Sequence, residues 1–315
     1  MGVVCYGSAC PLGLQTPLTR LLAALLSAFL SLGVASADKP AKTNPAKVVA
    51  ADFTKDGEPN VKSSGVLVLD PVSGQTLFSR NADQALPIAS ITKIMTAMVV
   101  LDAKLAMDEA VQITSEDIDT VKNTKSRLPI GSHFRRDDLM RLALMASDNR
   151  AASALGRNFP GGLAAFVAAM NAKAATHGLT QTHYVDSSGL SPSNVSTPAD
   201  LGKLVAAAAR YPMITEYTTT GAVNVTLPDS KRKLSFVNTN ALVRSSDWKI
   251  GLSKTGYINE AGKCLVMQAM IANQPIVIVL LDSWGRLTRV ADANRIRKWL
   301  EKNPAKLVGT EFRPG

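Results

Sequence analysis

"GLSKTGYINEAGKCLVMQAMIANQPIVIVLL", Gly251–Leu281, decides the fold. It divides into Lys254–Ile258, Lys263–Ile271 and Pro275–Leu281, separated by turn-forming Asn, Gly and Gln. Three short apolar runs split this way predict successive antiparallel strands. Downstream, Leu287, Val290, Ile296, Trp299 and Leu300 recur on one face of a closing helix. Upstream, "AVNVTL" (222–227) and "LSFVNT" (234–239) flank the turn-like "PDSKRK". "GVLVLDPVSGQTLFSR", 65–80, reads as two further strands joined at Pro71–Gly74. Between these ends the pattern is helical. It covers Asp137–Leu144, Arg150–Leu155, Gly162–His177 (ended by Gly178) and a helix from the cap Thr197 to Arg210, stopped by Pro212. Strands, many helices, strands and a helix make an α+β fold. One antiparallel sheet comes from both ends of the chain, is flanked by helices, and carries a helical insert at about 100–218.

The 315 residues do not all belong to that fold. Leu21–Val34 is an apolar run behind Arg20, followed by Ala35-Ser36-Ala37. Charge, apolar core and small-x-small form a signal peptide, residues 1–37, and the run is short for a membrane span. Residues 38–62, rich in Lys, Pro, Ala and Asn, read as a flexible lead-in, so the folded domain covers 63–315. Cys5 and Cys10 leave with the signal peptide. Cys264 stays as a single buried thiol, so the exported protein relies on its core rather than a disulfide. A net charge of +10 suits an anionic partner such as the cell envelope. Export and the lack of zinc-finger or RNA-binding motifs argue against nucleic acid.

In "PIASITKIMTA", 87–97, Ser90 and Lys93 lie one turn apart ahead of Ile91, Ile94, Met95, Met98 and Val99. A helix N-terminus can stabilise an oxyanion and lower the pKa of a nearby lysine, which then takes the serine proton. The bland alternative is a cap and a surface charge, and Ser-x-x-Lys recurs at Ser36, Ser230 and Ser246. Ser147-Asp148-Asn149 sits at a break between two helical patterns, where Ser, Asp and Asn also suit an ordinary turn. Lys254-Thr255-Gly256 lies in a strand, where glycine marks close approach of another backbone. Lysine and threonine beside it suit a carboxylate.

Taken together and in this order, the three motifs resemble the serine penicillin-recognising enzymes. Within these, the chain resembles the low-molecular-mass D-alanyl-D-alanine peptidases of family S11. "YVDSSGLSPSNVSTPADLGKL" (184–204) and "NTNALVRSSDWKIGLSKTGYINEAGKCLVMQ" (238–268) are most similar to the periplasmic D-alanyl-D-alanine endopeptidases. The resemblance implies a β-lactamase/transpeptidase-like fold. It implies Ser90 as the acylated nucleophile, Lys93 as its proton acceptor and Ser147 as proton donor to the leaving amine. Asn149 would hold the substrate amide, Lys254 would help keep Lys93 neutral, and Thr255 would bind a carboxylate. The N–H groups of Ser90 and Tyr257, beside Gly256, would form the oxyanion hole. Peptidoglycan stem peptides are the implied partners, with β-lactams as covalent inhibitors.

A class A β-lactamase needs a glutamate after Ser-Asp-Asn for deacylation. Arg150–Leu201 contains none, only Asp186 and Asp200. A D,D-carboxypeptidase removing terminal D-Ala is the nearer alternative, and a non-catalytic envelope-binding module the more distant one. The 59 residues after Gly256 leave room for two strands and a helix, so a C-terminal anchor is not expected. The enzyme is then periplasmic, soluble or loosely attached to the envelope. His133, His177 and His183 form no His-Glu-x-x-His motif, and no Gly-x-Ser-x-Gly is present, so neither metal nor cofactor is expected. His177 should sit at a helix C-terminus, where its charge is tolerated.

Overall fold

The computed structural model describes residues 51–227 and 232–307. The expected signal peptide and residues 38–50 of the expected lead-in lie outside them. In order, the elements are β1 (Gly65–Leu69), β2 (Thr76–Arg80), β3 (Leu86–Pro87), α1 (Thr92–Asp102), β4 (Ala110–Gln112) and β5 (His133–Arg135). There follow α2 (Arg136–Met145), α3 (Asn149–Arg157), α4 (Gly162–Thr176), β6 (Val195–Ser196), α5 (Pro198–Ala208) and α6 (Pro212–Thr219). The chain closes with β7 (Ala222–Thr226), β8 (Lys233–Val237), β9 (Lys249–Ile258), β10 (Gly262–Ile271), β11 (Gln274–Ser283) and α7 (Thr288–Lys302).

The main sheet is antiparallel, in the order β2-β1-β11-β10-β9. Its register pairs Leu67 with Val279, Val279 with Val266 and Val266 with Lys254. "PIVIVLL" is apolar throughout because both faces of β11 are covered. Val277, Val279 and Leu281 join the core shared with α1, while Ile276, Ile278 and Leu280 pack with Ile296, Trp299 and Leu300 of α7. Alternate residues therefore enter two cores, as a strand's period of two requires.

Helix α1 is buried on every side rather than along one stripe, and Thr92 to Val100 are all inaccessible. Lys93 is buried with them, at 0 % exposure, which excludes a surface-charge role.

Four expectations need correction. Residues 51–62 are folded rather than part of a flexible lead-in. Phe53 bridges Pro59, Val61 is buried, and the backbone N–H groups of Lys62 and Ser63 donate to the Asp292 carboxylate of α7 (2.9 and 2.8 Å). Strands β7 and β8 form a separate two-stranded sheet instead of extending the main one. Pro212 opens α6 instead of only ending the preceding helix, because a proline at the first helical position forfeits no needed N–H. Leu287 is 68 % exposed and does not share the buried face of α7.

Candidate active site

Residues 89–91 form a tight 3-10 turn ahead of α1. Ala89 has φ +48°, a left-handed conformation that persists only where its surroundings hold it. Two glycines press on the turn. A Cβ on Gly256 of β9 would stand 2.9 Å from Ile88 O and 3.1 Å from Ser90 N. One on Gly189 would fall 1.9 Å from Ala89 O. Only bare backbone fits, so β9 and the 186–191 loop approach the Ser90 turn directly. Thr92 Oγ1 donates to Ala89 O (2.8 Å) and accepts from Asn194 Nδ2 (3.1 Å), which fixes the turn to the helix.

Lys93 Nζ lies 2.9 Å from Ser90 Oγ, 2.7 Å from Asn149 Oδ1 and 2.6 Å from the Ser188 carbonyl. The last two are pure acceptors. A charged Lys93 donates to all three. A neutral one spends its two N–H groups on Asn149 and Ser188, which turns its lone pair toward the Ser90 hydroxyl. Burial lowers its pKa to about 8, against the opposing attraction of Asp186, Asp148 and Asp119. The sequence pointed to the helix N-terminus for this lowering, and the resemblance to help from Lys254. Burial is the leading cause, and the repulsion between the two buried lysines is mutual. Lys254 is depressed by burial first, then by Lys93 and Arg289.

Ser147 occupies the break between α2 and α3 at φ +59°. Asp148 next to it caps α3 by accepting from Ala151 N (2.9 Å), and its carboxylate also receives Ser126 Oγ (2.8 Å). Lys254 Nζ donates to Ser147 Oγ (2.8 Å) and to its neighbour's carbonyl, Thr255 O (2.9 Å). Ser147 is thus tied to Lys254, not hydrogen-bonded to Lys93. Asn149 receives Lys93 on Oδ1 and donates its Nδ2 to Thr124 Oγ1 (2.8 Å), which fixes the amide orientation. Thr255 Oγ1 shares a 2.6 Å hydrogen bond with Thr239 Oγ1. Tyr257 leaves its ring 55 % exposed, with the Lys263 ammonium 4.0 Å from the ring centre.

Two contributors escape a local reading. The Asp186 carboxylate accepts from Ser188 N (2.6 Å), Gly189 N and Ser191 N (2.9 Å), and so folds the loop that presents Ser188 O to Lys93. "DSSG" carries the turn signal for this, but nothing in it names the target. Arg289 Nη1 donates to Gly256 O (3.1 Å) and Cys264 O (3.2 Å) from the first turn of α7. It has no acidic partner among the described residues, and burial lowers its pKa. Only tertiary contact reveals it.

Cys264 is the buried thiol expected, and burial raises its pKa to about 11. His177 does end α4, but burial and then Lys173 lower its pKa, so its charge is disfavoured there. Among the described residues no three His, Cys, Asp or Glu side chains gather to hold a metal ion, and no helix is long and apolar enough to cross a membrane. The roomier hollows, about 480 Å³ beside α6 and about 570 Å³ beside Arg210, do not include Ser90 or Lys93. A smaller one of about 120 Å³ opens beside Asn149 and Ser188.

The family model for peptidase S11, D-alanyl-D-alanine carboxypeptidase, matches residues 52–284. A D-alanyl-D-alanine endopeptidase of Pseudomonas aeruginosa is 45 % identical over 89 % of this chain and 88 % of its own. One of Escherichia coli is 43 % identical over 81 % of this chain and 82 % of its own. The crystal structure of the Streptomyces K15 DD-transpeptidase superposes with a TM-score of 0.72 at 28 % identity, covering 76 % of this chain and 97 % of that one.

Proposed function

Because this chain belongs to the peptidase S11 (D-alanyl-D-alanine carboxypeptidase) family, we propose that it is a periplasmic serine D,D-peptidase that opens D-Ala cross-links in peptidoglycan. The observation that carries the reading is the contact of the buried Lys93 Nζ with the half-buried Ser90 Oγ at 2.9 Å. We assign residues 51–307 to one catalytic domain, with its helical insert at about 100–218, following a signal peptide at 1–37.

Neutral Lys93 takes the Ser90 proton as Oγ attacks the D-Ala carbonyl. The N–H groups of Ser90 and Tyr257 receive the oxyanion, and the tight packing of Gly256 on Ser90 N supports that pairing. Ser147 passes its proton to the leaving amine and takes a replacement from the Lys254 ammonium that donates to it; when water later releases the acyl group, its proton restores Lys254 and the proton on Lys93 returns to Ser90. The amide bond breaks and Ser90 carries the acyl group until water releases it. Asn149 orients the substrate amide. The Thr255 hydroxyl and the Arg289 guanidinium are the partners for the carboxylate of the leaving residue. The unpaired guanidinium of Arg289, beside Gly256, supports this. A β-lactam would stop at the acyl stage.

Endopeptidase activity is favoured by the names of the two relatives above 40 % identity. The family description favours carboxypeptidase activity as the second reading. Digestion of purified cross-linked peptidoglycan, read by mass, separates them. Loss of dimers with gain of intact monomers is expected. Release of free D-alanine alone would support carboxypeptidase, and neither product would remove the peptidase reading.

A further inference from the structure

Three large apolar side chains near the sheet end that carries Gly256 face solvent: Tyr257 at 55 %, Trp284 at 78 % and Leu287 at 68 % exposure. The other two tryptophans, Trp248 and Trp299, are buried. Register sets Tyr257 opposite Lys263, and Lys263 opposite Ser283, the residue before Trp284. Tyr257, Lys263 and the start of the 284–287 loop therefore lie in one row across three strands, about 5 Å apart.

The loop is anchored rather than loose. Thr288 Oγ1 donates to Trp284 O, Gly285 takes the left-handed turn at φ +87°, and Arg289 ties the loop's end to Gly256 and Cys264. Trp284 is thus held outward by fixed backbone. Among the described residues, Lys263, Arg286 and Arg289 have no acidic partner. The neighbouring carboxylates are occupied: Glu260 by Lys122, and Asp282 by Ser64 Oγ (2.8 Å).

We propose that Trp284, Leu287, Lys263 and Arg286, around the exposed Tyr257 ring, form a binding surface for the second strand of a cross-linked substrate, a glycan chain bearing anionic stem peptides. The inference rests on the D,D-peptidase reading and deepens it. Arg289 and Thr255 mark the leaving-group end of the cleft, and the surface continues outward from Arg289. A terminal D-alanine has nothing beyond its carboxylate to reach that far, whereas a cross-linked leaving stem leads on to a whole glycan strand. Flat aromatic faces suit sugar rings, and unpaired cations suit stem carboxylates. The surface is useful only for the polymeric, cross-linked substrate.

The test uses the mature enzyme with Trp284→Ala and Arg286→Ala, changes at exposed positions whose melting temperature should match the parent. Substrates are a disaccharide-bearing cross-linked dimer and a small acyl-D-Ala-D-Ala peptide. In Trp284→Ala the KM for the dimer should rise about tenfold with kcat held, as loss of an interface tryptophan does. KM for the small peptide and the rate of penicillin acylation should stay within about twofold. Equal change on both substrates, or none on either, would overturn the proposal. Co-sedimentation with isolated peptidoglycan sacculi, comparing Ser90→Ala with Ser90→Ala/Trp284→Ala, reads binding without catalysis. Retention lost with Trp284 is expected, and retention unaffected by it contradicts the surface. Failure of the parent enzyme to be acylated or to cleave either substrate would instead strike the peptidase reading, whatever the sacculi show. Retention on acidic polypeptide or anionic vesicles, but not on sacculi, would assign the surface to another partner and overturn this one.

Discussion

Lys93 is the one side chain hydrogen-bonded to Ser90 Oγ among the described residues, so the chemistry of Ser90 stands on its protonation state. Burial lowers the lysine pKa to about 8. The sign follows directly: the neutral form, the competent base, predominates above that value, and the ammonium takes over below it. Acylation by benzylpenicillin should rise about tenfold per pH unit up to about 8 and then level off. Lys93→Arg, whose guanidinium keeps its proton, should cut the rate by about 10²–10⁴-fold. A rate flat from about pH 6 to 9 would contradict the assignment. At this scale the sequence is ambiguous for a physical reason. Ser-x-x-Lys spacing records a helical neighbour relation, and burial of the lysine depends on what packs over it.

At the scale of elements, the site is where four segments meet: the turn before α1, the α2–α3 break, the 186–191 loop and β9. The spacing of Ser90, Ser147 and Lys254 pointed to three of them. The fourth was hidden, because a backbone carbonyl such as Ser188 O has no side-chain signature. Gly189 tests its importance. It sits at φ +81°, and an added Cβ would lie 1.9 Å from Ala89 O, far inside van der Waals contact distance. Gly189→Ala must therefore move the loop or the Ser90 turn, at a cost of about 1–3 kcal/mol. For a chain of this size the melting temperature should fall by about 2–4 °C per kcal/mol. Acylation should fall with it as Ser188 O leaves Lys93. A variant with parental melting temperature and parental acylation would show that the loop does not brace the site.

Across the described residues, strands from both ends build one sheet, and the candidate active site lies where the helices between them meet its β9 edge. Short apolar runs such as "PIVIVLL" and the turn residues between them made the α+β architecture readable, because run length and turn chemistry are local. The folding of 51–62 was not, since its Lys and Asn composition looks solvated. Its order comes from the Phe53–Pro59 bridge and from the distant Asp292, whose carboxylate accepts the backbone N–H groups of Lys62 and Ser63. Arg289 is likewise distant in sequence and adjacent in space. The family membership, the buried lysine and the paired glycines all converge on Ser90 as an acyl acceptor. Incubating the mature protein with benzylpenicillin and mapping the adduct by mass spectrometry tests this most directly. One covalent penicilloyl group on Ser90, absent from Ser90→Ala, is the expected result. A folded protein that takes up no label, or takes it up at another residue, would contradict the account.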